Sequence, residues 1–216
     1  MYTSTLRLEI FSDAVIAIIL TIMVLELKLP AFNTGQTEHR IENHLLELLP
    51  HIGAYVFSFI MIGILWFNHH HLFYLLEKTD NFLLGQNLFF LFWMSLIPFV
   101  TGTMGADPLI ALSTALYGFI LLMTTLTLSY MRSYTIRKKL VHTDEEIEIK
   151  VDIIKVSAKR KSRSYLSTAL YLLSIPLAFL SVYLSYICFV IPIILFLLPA
   201  GIDEEKLGSK VIEKNS

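Results

Sequence analysis

Acidic and basic side chains are missing from long stretches of the chain. None occurs between Glu47 and Glu77, between Asp80 and Asp107, or between Asp107 and Arg132. A bilayer core about 30 Å thick is crossed by roughly 20 apolar residues in an α-helix. Each gap therefore predicts one span, near 52–74, 82–103 and 108–130. The 39 uncharged residues between Arg163 and Asp203 would make a helix about 58 Å long, too long for one crossing. A break near Val182–Tyr186 divides them into two short spans, 165–182 and 186–200. Residues 6–27 are apolar enough to cross although they enclose Asp13. They lack the basic leader and small-residue cleavage site of a signal peptide, so they read as an uncleaved span. The pattern predicts an all-α integral membrane protein with six transmembrane helices, a single domain covering 1–216.

The segments between spans are short. Residues 36–49 set Ile41, Leu45, Leu48 and Leu49 at helical spacing, which reads as an outer helix lying on the membrane surface. Residues 136–163 mix both charges with Ile147, Val151, Ile154 and Val156, which reads as a solvated helix continuing from the fourth span. The cluster Lys159–Arg163 suits anionic lipid heads, although a plain topology signal explains it as well. The stretch 132–163 holds ten of the 17 basic residues, and Lys206, Lys210 and Lys214 follow the last span. The 28–50 segment has only Lys28 and Arg40. By the positive-inside rule the basic loop 132–163 and both termini lie in the cytoplasm of a multi-pass plasma-membrane protein.

Composition agrees. Apolar residues make up 55% of the chain and charged ones 16%, with a mean hydropathy of +0.65; a soluble domain carries about 25% charged residues. Disorder is excluded by the amount of apolar surface, and a disulfide framework by Cys188 being the lone cysteine. The net charge of −1 adds little, because the charges are so unevenly distributed.

An ionisable group inside a span is expensive and marks function by default. Asp13 is such a group. Arg7, six residues earlier, lies about 240° around the helix and points elsewhere, so partners must come from another helix. The late part of the second span offers Trp66, Asn68, His69, His70 and His71 at a similar depth. Indole and imidazole N–H groups donate to carboxylates and hydroxyls. A polar network of Arg7, Phe11, Ser12, Asp13, Trp66, Asn68 and His70 follows, read first as a means of fixing helices and second as a proton or ion relay. Three consecutive histidines point 100° apart and cannot share one metal. No Cys or Glu pair completes a zinc set, and spans three to six offer no facing histidine for haem. No metal and no cofactor are expected. The chain has no phosphate loop, HExxH, serine elbow or TVGYG filter, so it reads as no enzyme. Nucleic-acid binding is excluded as well, since five acids balance the basic loop.

The first span, RLEIFSDAVIAIILTIMVLEL, carries Arg7, Phe11, Ser12 and Asp13 in an RxxxFSD pattern. With Ala17, Thr21 and Met23 after it, and the Trp66–His70 stretch of span two, it resembles the transmembrane protein 175 family, the lysosomal potassium channels and their prokaryotic relatives. The animal members join two six-helix repeats, whereas this sequence resembles the single-repeat prokaryotic members. The resemblance implies a leak-type potassium-selective channel, a homotetramer whose central pore is lined by the first helix and narrowed by bulky apolar side chains. Ile18, Thr21 and Leu25 match the pore-lining positions and share one helical face at spacing 0, 3 and 7. Ile18 and Leu25 would form hydrophobic constrictions, with the Thr21 hydroxyls between them. The implied partners are other copies of the chain, membrane lipid and permeant potassium. The alternatives are a secondary transporter, although Pro98, Pro176 and Pro192 pair with no intramembrane charge, a proton-conducting channel using the Asp13 and histidine cluster, and a membrane scaffold without flux.

Overall fold

The computed structural model describes residues 5–27, 38–138, 140 and 147–197, with side chains described for 5–27, 48–138, 140 and 164–196. These residues are almost entirely helical: α1 (Thr5–Ile22), α2 (Glu38–Tyr74), α3 (Asn81–Ser95), α4 (Ile97–Ala106), α5 (Ala111–Arg137), α6 (Ile147–Leu180) and α7 (Val182–Leu197). Four segments are long and apolar enough to cross a membrane: Thr5–Glu26, Leu48–Tyr74, Asn81–Ala106 and Ala111–Arg137. Ser164–Leu180 and Val182–Phe196 are shorter apolar helices. The chain is therefore a multi-pass membrane protein. In hydrocarbon every backbone polar group must be satisfied within the protein, which leaves the helix as the spanning form for such segments. Hydroxyls behave accordingly: Ser12, Thr101, Thr124 and Thr127 each donate to the carbonyl four residues earlier, at 2.7–2.8 Å.

The boundaries differ from the sequence reading in four places, each with a local cause. The third span is two helices, α3 and α4, broken at Leu96. Pro98 has no N–H for the carbonyl of Met94, so the ladder stops and restarts with the Val100 amide donating to Leu96 at 3.2 Å. Residues 38–50 are not a separate surface helix: α2 runs unbroken through Pro50. The described backbone is one helix there, and the side chains of 38–47 lie outside the described residues. The charged helix within 132–163 does not continue span four. α5 ends at Arg137, where the Lys138 amide turns back onto the Tyr134 carbonyl at 2.9 Å, and the charged segment from Ile147 is the first part of α6, continuous to Leu180. Arg132 itself is not in a loop but 8% exposed within α5. The side chains of Lys159–Arg163 and the whole C-terminal tail lie outside the described residues. Finally, the split between the last two spans falls at Ser181, one residue before the expected break.

Packing divides the chain into two connected groups. In the first, α1 lies against α2 and α3, while α2 packs on α4. In the second, α5, α6 and α7 pack together, joined to the first through α3 and α4. The buried core runs through both, from Leu8, Ile16 and Ile19 of α1 and Met23 of the 3-10 turn after it to Phe90, Met94, Tyr117, Tyr171 and Phe189. Hydroxyls of Tyr117, Ser58 and Thr101 connect α5, α2 and α4 at 2.9 and 2.7 Å. At the turn before α3, Asp80 caps the helix by accepting from the Leu83 amide at 2.8 Å, and accepts from the Tyr134 hydroxyl at 2.6 Å.

The second group depends on one close approach. A Cβ added at Gly118 would lie 2.5 Å from Ser174 Oγ and 3.2 Å from the Phe189 ring. Both neighbours are fully buried, and Ser174 donates to the Tyr171 carbonyl at 2.7 Å. Small residues let membrane helices approach in this way. Gly118→Ala should overpack the site and destabilise by about 1–3 kcal/mol, read as a lower unfolding temperature in detergent. Adding Ser174→Ala should recover much of the loss. A double variant no more stable than the single one would show that the contact is not the cause.

Candidate functional site

The sequence of α1 places two polar residues side by side. Ser12 and Asp13 are about 100° apart around the helix, so they reach different neighbours. Ser12 is fully buried and faces α3, where Asn87 Nδ2 donates to Ser12 Oγ at 2.8 Å. Ser12 Oγ passes its own proton to the Leu8 carbonyl at 2.8 Å. Asn87 Oδ1 lies 2.8 Å from His69 Nε2 of α2. An amide oxygen only accepts, which makes His69 Nε2 the donor and sets the tautomer. The His69 ring is stacked between Phe73 and Phe90, with centroids at 4.4 and 5.1 Å. The result is one directional chain, from His69 through Asn87 and Ser12 to Leu8, across three helices and without solvent exposure.

Asp13 faces α2. Trp66 Nε1 donates to Asp13 Oδ1 at 2.9 Å. The Trp66 indole stacks on the His70 ring, centroids 5.6 Å apart and planes at 26°. His70 Nδ1 lies 3.4 Å from Glu9 Oε1, one helical turn from Asp13 on the same side of α1. Two adjacent residues of α1 therefore fasten it to two helices.

Of the residues expected in the polar network, the structure brings together Ser12, Asp13, Trp66 and His70. Arg7 and Phe11 stay outside it. Both are exposed, on the side of α1 away from α2 and α3. Asn68 is buried but turned elsewhere: its side-chain amide donates to the Ile64 carbonyl at 2.8 Å, and its main-chain carbonyl accepts from the Arg132 guanidinium at 3.4 Å. Three further members complete the arrangement. Of the three adjacent histidines offered by span two, His69 is the buried one, and Asn87 and Glu9, which the sequence reading did not include, join it and His70 to α1. The signal for Asn87 was present, since Gln86 and Asn87 are the polar pair in the first half of an otherwise apolar span. Glu9 lies near the start of the span, where an acid is ordinary, and its signal is the four-residue spacing to Asp13 that marks a shared face.

The opposite side of α1 is apolar and open. Ile18 is 54% and Leu25 69% exposed. Thr21 is exposed between them, its hydroxyl donating to the Ile18 carbonyl at 2.8 Å. That bond occupies the hydroxyl proton, so the oxygen presents lone pairs outward. Leu6, Ile10 and Ile22 extend the same open surface. Ile19, one residue on from Ile18, is 5% exposed and belongs to the core. The helix ends in a 3-10 turn, Met23–Glu26. There the Glu26 carboxylate lies over Gly102 of α4, where a Cβ would collide with it.

Residues 7–98 match the family model described as endosomal/lysosomal potassium channel TMEM175. A potassium channel of Chryseobacterium sp. (strain P1-3) is 39% identical over 169 residues, covering 78% of this chain and 80% of that protein. The endosomal/lysosomal proton channel TMEM175 of Gallus gallus is 33% identical over 99 residues, 43% of this chain but 19% of that protein. Among solved structures, the crystal structure of a lysosomal potassium-selective channel TMEM175 homolog from Chamaesiphon minutus superposes with a TM-score of 0.70 at 28% identity. It covers 90% of this chain and 96% of that one.

Proposed function

The chain belongs to the TMEM175 family of channels, and from that premise we propose that it is a potassium-selective leak channel. The conducting unit is a homotetramer of single six-helix repeats in the plasma membrane, with both termini and the basic segment on the cytoplasmic side. One observation carries the reading: α1 is fastened along its back to α2 and α3, while Ile18, Thr21 and Leu25 form an exposed line along its front. A single helix cannot enclose a path, but four related by a closed rotation can. Each exposed residue then becomes a ring. Ile18 and Leu25 make apolar constrictions that control wetting, and the Thr21 oxygens between them take over part of the hydration shell of a dehydrating cation. The remaining exposed apolar surface meets lipid. The reading assigns no catalytic step and no cofactor besides permeant potassium.

Purified protein in a planar bilayer under potassium/sodium bi-ionic conditions should give current with a reversal potential favouring potassium. Its mass by light scattering, corrected for detergent, should be that of four chains. A monomer that conducts would overturn the assembly, and the absence of current would overturn the channel.

Proton conduction is the second reading, favoured by Glu9, Asp13 and His70 lying together on α1 and α2. It requires a reversal potential that follows a pH gradient when potassium is absent. A coupled transporter would need a second substrate gradient to sustain flux.

A further inference from the structure

The cluster of Glu9, Asp13 and His70 has the composition of a metal site. Each residue offers one ligand atom, and these atoms all lie within 4.8 Å of one another. The two carboxylates come from successive turns of α1 and the imidazole from α2. Trp66 holds Asp13 through Oδ1, and its stacked indole fixes the plane of the His70 ring. His70 Nδ1 is buried, without a hydrogen-bond partner among the described residues, and 3.4 Å from Glu9 Oε1. Two ligands about 2.1 Å from a tetrahedral ion stand about 3.4 Å apart, the separation of His70 Nδ1 and Glu9 Oε1, and Asp13 lies within 4.8 Å of both.

The donor set points the same way. It gathers two acidic side chains and one imidazole nitrogen, more acceptors than donors, and a divalent cation satisfies acceptors of both kinds at once, His70 Nδ1 included. Imidazole with two carboxylates suits zinc, cobalt, nickel, manganese or ferrous iron better than calcium or magnesium, which prefer oxygen alone. We propose that Glu9, Asp13 and His70 form a binding site for one divalent transition-metal ion per protomer, joining α1 to α2. The site was not legible as a motif, because its ligands come from two helices about sixty residues apart.

The test is a cobalt titration of the full-length, tag-free protein, stripped with chelator. Saturable binding at one ion per chain, with a visible d–d band abolished by zinc, is the expected result. Glu9→Gln removes a ligand from a part-exposed position. His70→Phe removes the nitrogen but keeps a ring to stack on Trp66. Each should weaken binding by at least about 100-fold, since even residues that only support a metal ligand are worth 10–100-fold. Zinc should raise the unfolding temperature of the unmodified protein and leave that of Glu9→Gln unchanged. Unaltered affinity in Glu9→Gln, or no saturable binding at all, would overturn the site. Because binding and unfolding are read without current, this outcome is separable from a failure of the channel reading.

Discussion

Ile18→Ala is expected to raise the unitary current and to lower potassium-over-sodium discrimination by about tenfold, the equivalent of about 1.4 kcal/mol. The argument begins with the exposed position of Ile18, on the far side of α1 from its fastenings. In the proposed tetramer each substitution acts four times, so one codon removes four sec-butyl groups from the proposed constriction. The wider bore lets both ions keep more of their hydration shells, which lowers both barriers and brings them closer together. Ile18→Asn tests the other half of the idea, since it wets the ring at similar volume and should also raise current. Ile19, adjacent to Ile18, does not serve as a neutral control, because it is buried in the core. Truncating a buried Ile costs about 2–5 kcal/mol through the cavity it leaves. Leu172, 59% exposed on α6, is the better comparison, and Leu172→Ala should conduct as the unmodified protein does. If Leu25→Ala and Ile18→Ala both leave permeation unchanged, α1 does not line the path.

Asn87→Leu should give the largest loss of stability among the polar residues while leaving ion selectivity in surviving channels unaltered. Asn87 is fully buried and serves two helices at once. The two broken bonds are not equal. Ser12 retains its donation to Leu8 and loses only an accepted bond. His69 is left with a donor that has nowhere to go, enclosed by Phe73 and Phe90. An unmade bond of that kind costs about 1–3 kcal/mol. Polar contacts between membrane helices average less, roughly 0.6 kcal/mol, so the buried histidine carries most of the effect. Asp13→Ala should cost less, because Trp66 is 38% exposed and its N–H can find another acceptor. Thermal unfolding of the three proteins side by side decides the order. Asp13→Ala being the less stable would move the centre of the network from Ser12–Asn87–His69 to Asp13–Trp66. A change of selectivity in Asp13→Ala at full stability would instead put that carboxylate in the ion path.

The spans were legible because burying a charge in hydrocarbon is so expensive that charge-free gaps mark crossings directly. The break at Leu96 was not, because a proline near a helix start and one inside a kinked helix look alike in sequence. Pro50, Pro176 and Pro192 are carried within continuous helices, whereas Pro98 ends one and starts another. That the charged helix is the first part of α6 was not legible, since amphipathic periodicity says that a helix exists but not which span it extends. At the site, the local motif on α1 identified Ser12 and Asp13. Their partners depend on which helix lies beside which, and that depends on packing between segments far apart in the chain. His69 and His70 show how fine this is. Consecutive residues differ by 100° of rotation, and that angle alone puts one in a sealed aromatic stack and the other beside two carboxylates.

The adjacent fastenings at Ser12 and Asp13 also have a mechanical consequence. Attached in two directions at one level, α1 cannot turn about its own axis without breaking both attachments, so rotation is not available as a way of swinging its front residues out of line. Tilting about that level breaks neither hydrogen bond, though it displaces the buried Met23 and the Glu26 contact over Gly102. Leu25 lies 12 residues farther along, a lever arm of about 18 Å. A tilt of about 5° then carries Leu25 about 1.6 Å sideways but Ile18 only about 0.7 Å, in proportion to their distances from the pivot. If Ile18 and Leu25 form the proposed rings, the two therefore have unequal travel: Ile18, close to the pivot, is a nearly fixed aperture, and Leu25, at the end of the arm, the movable one.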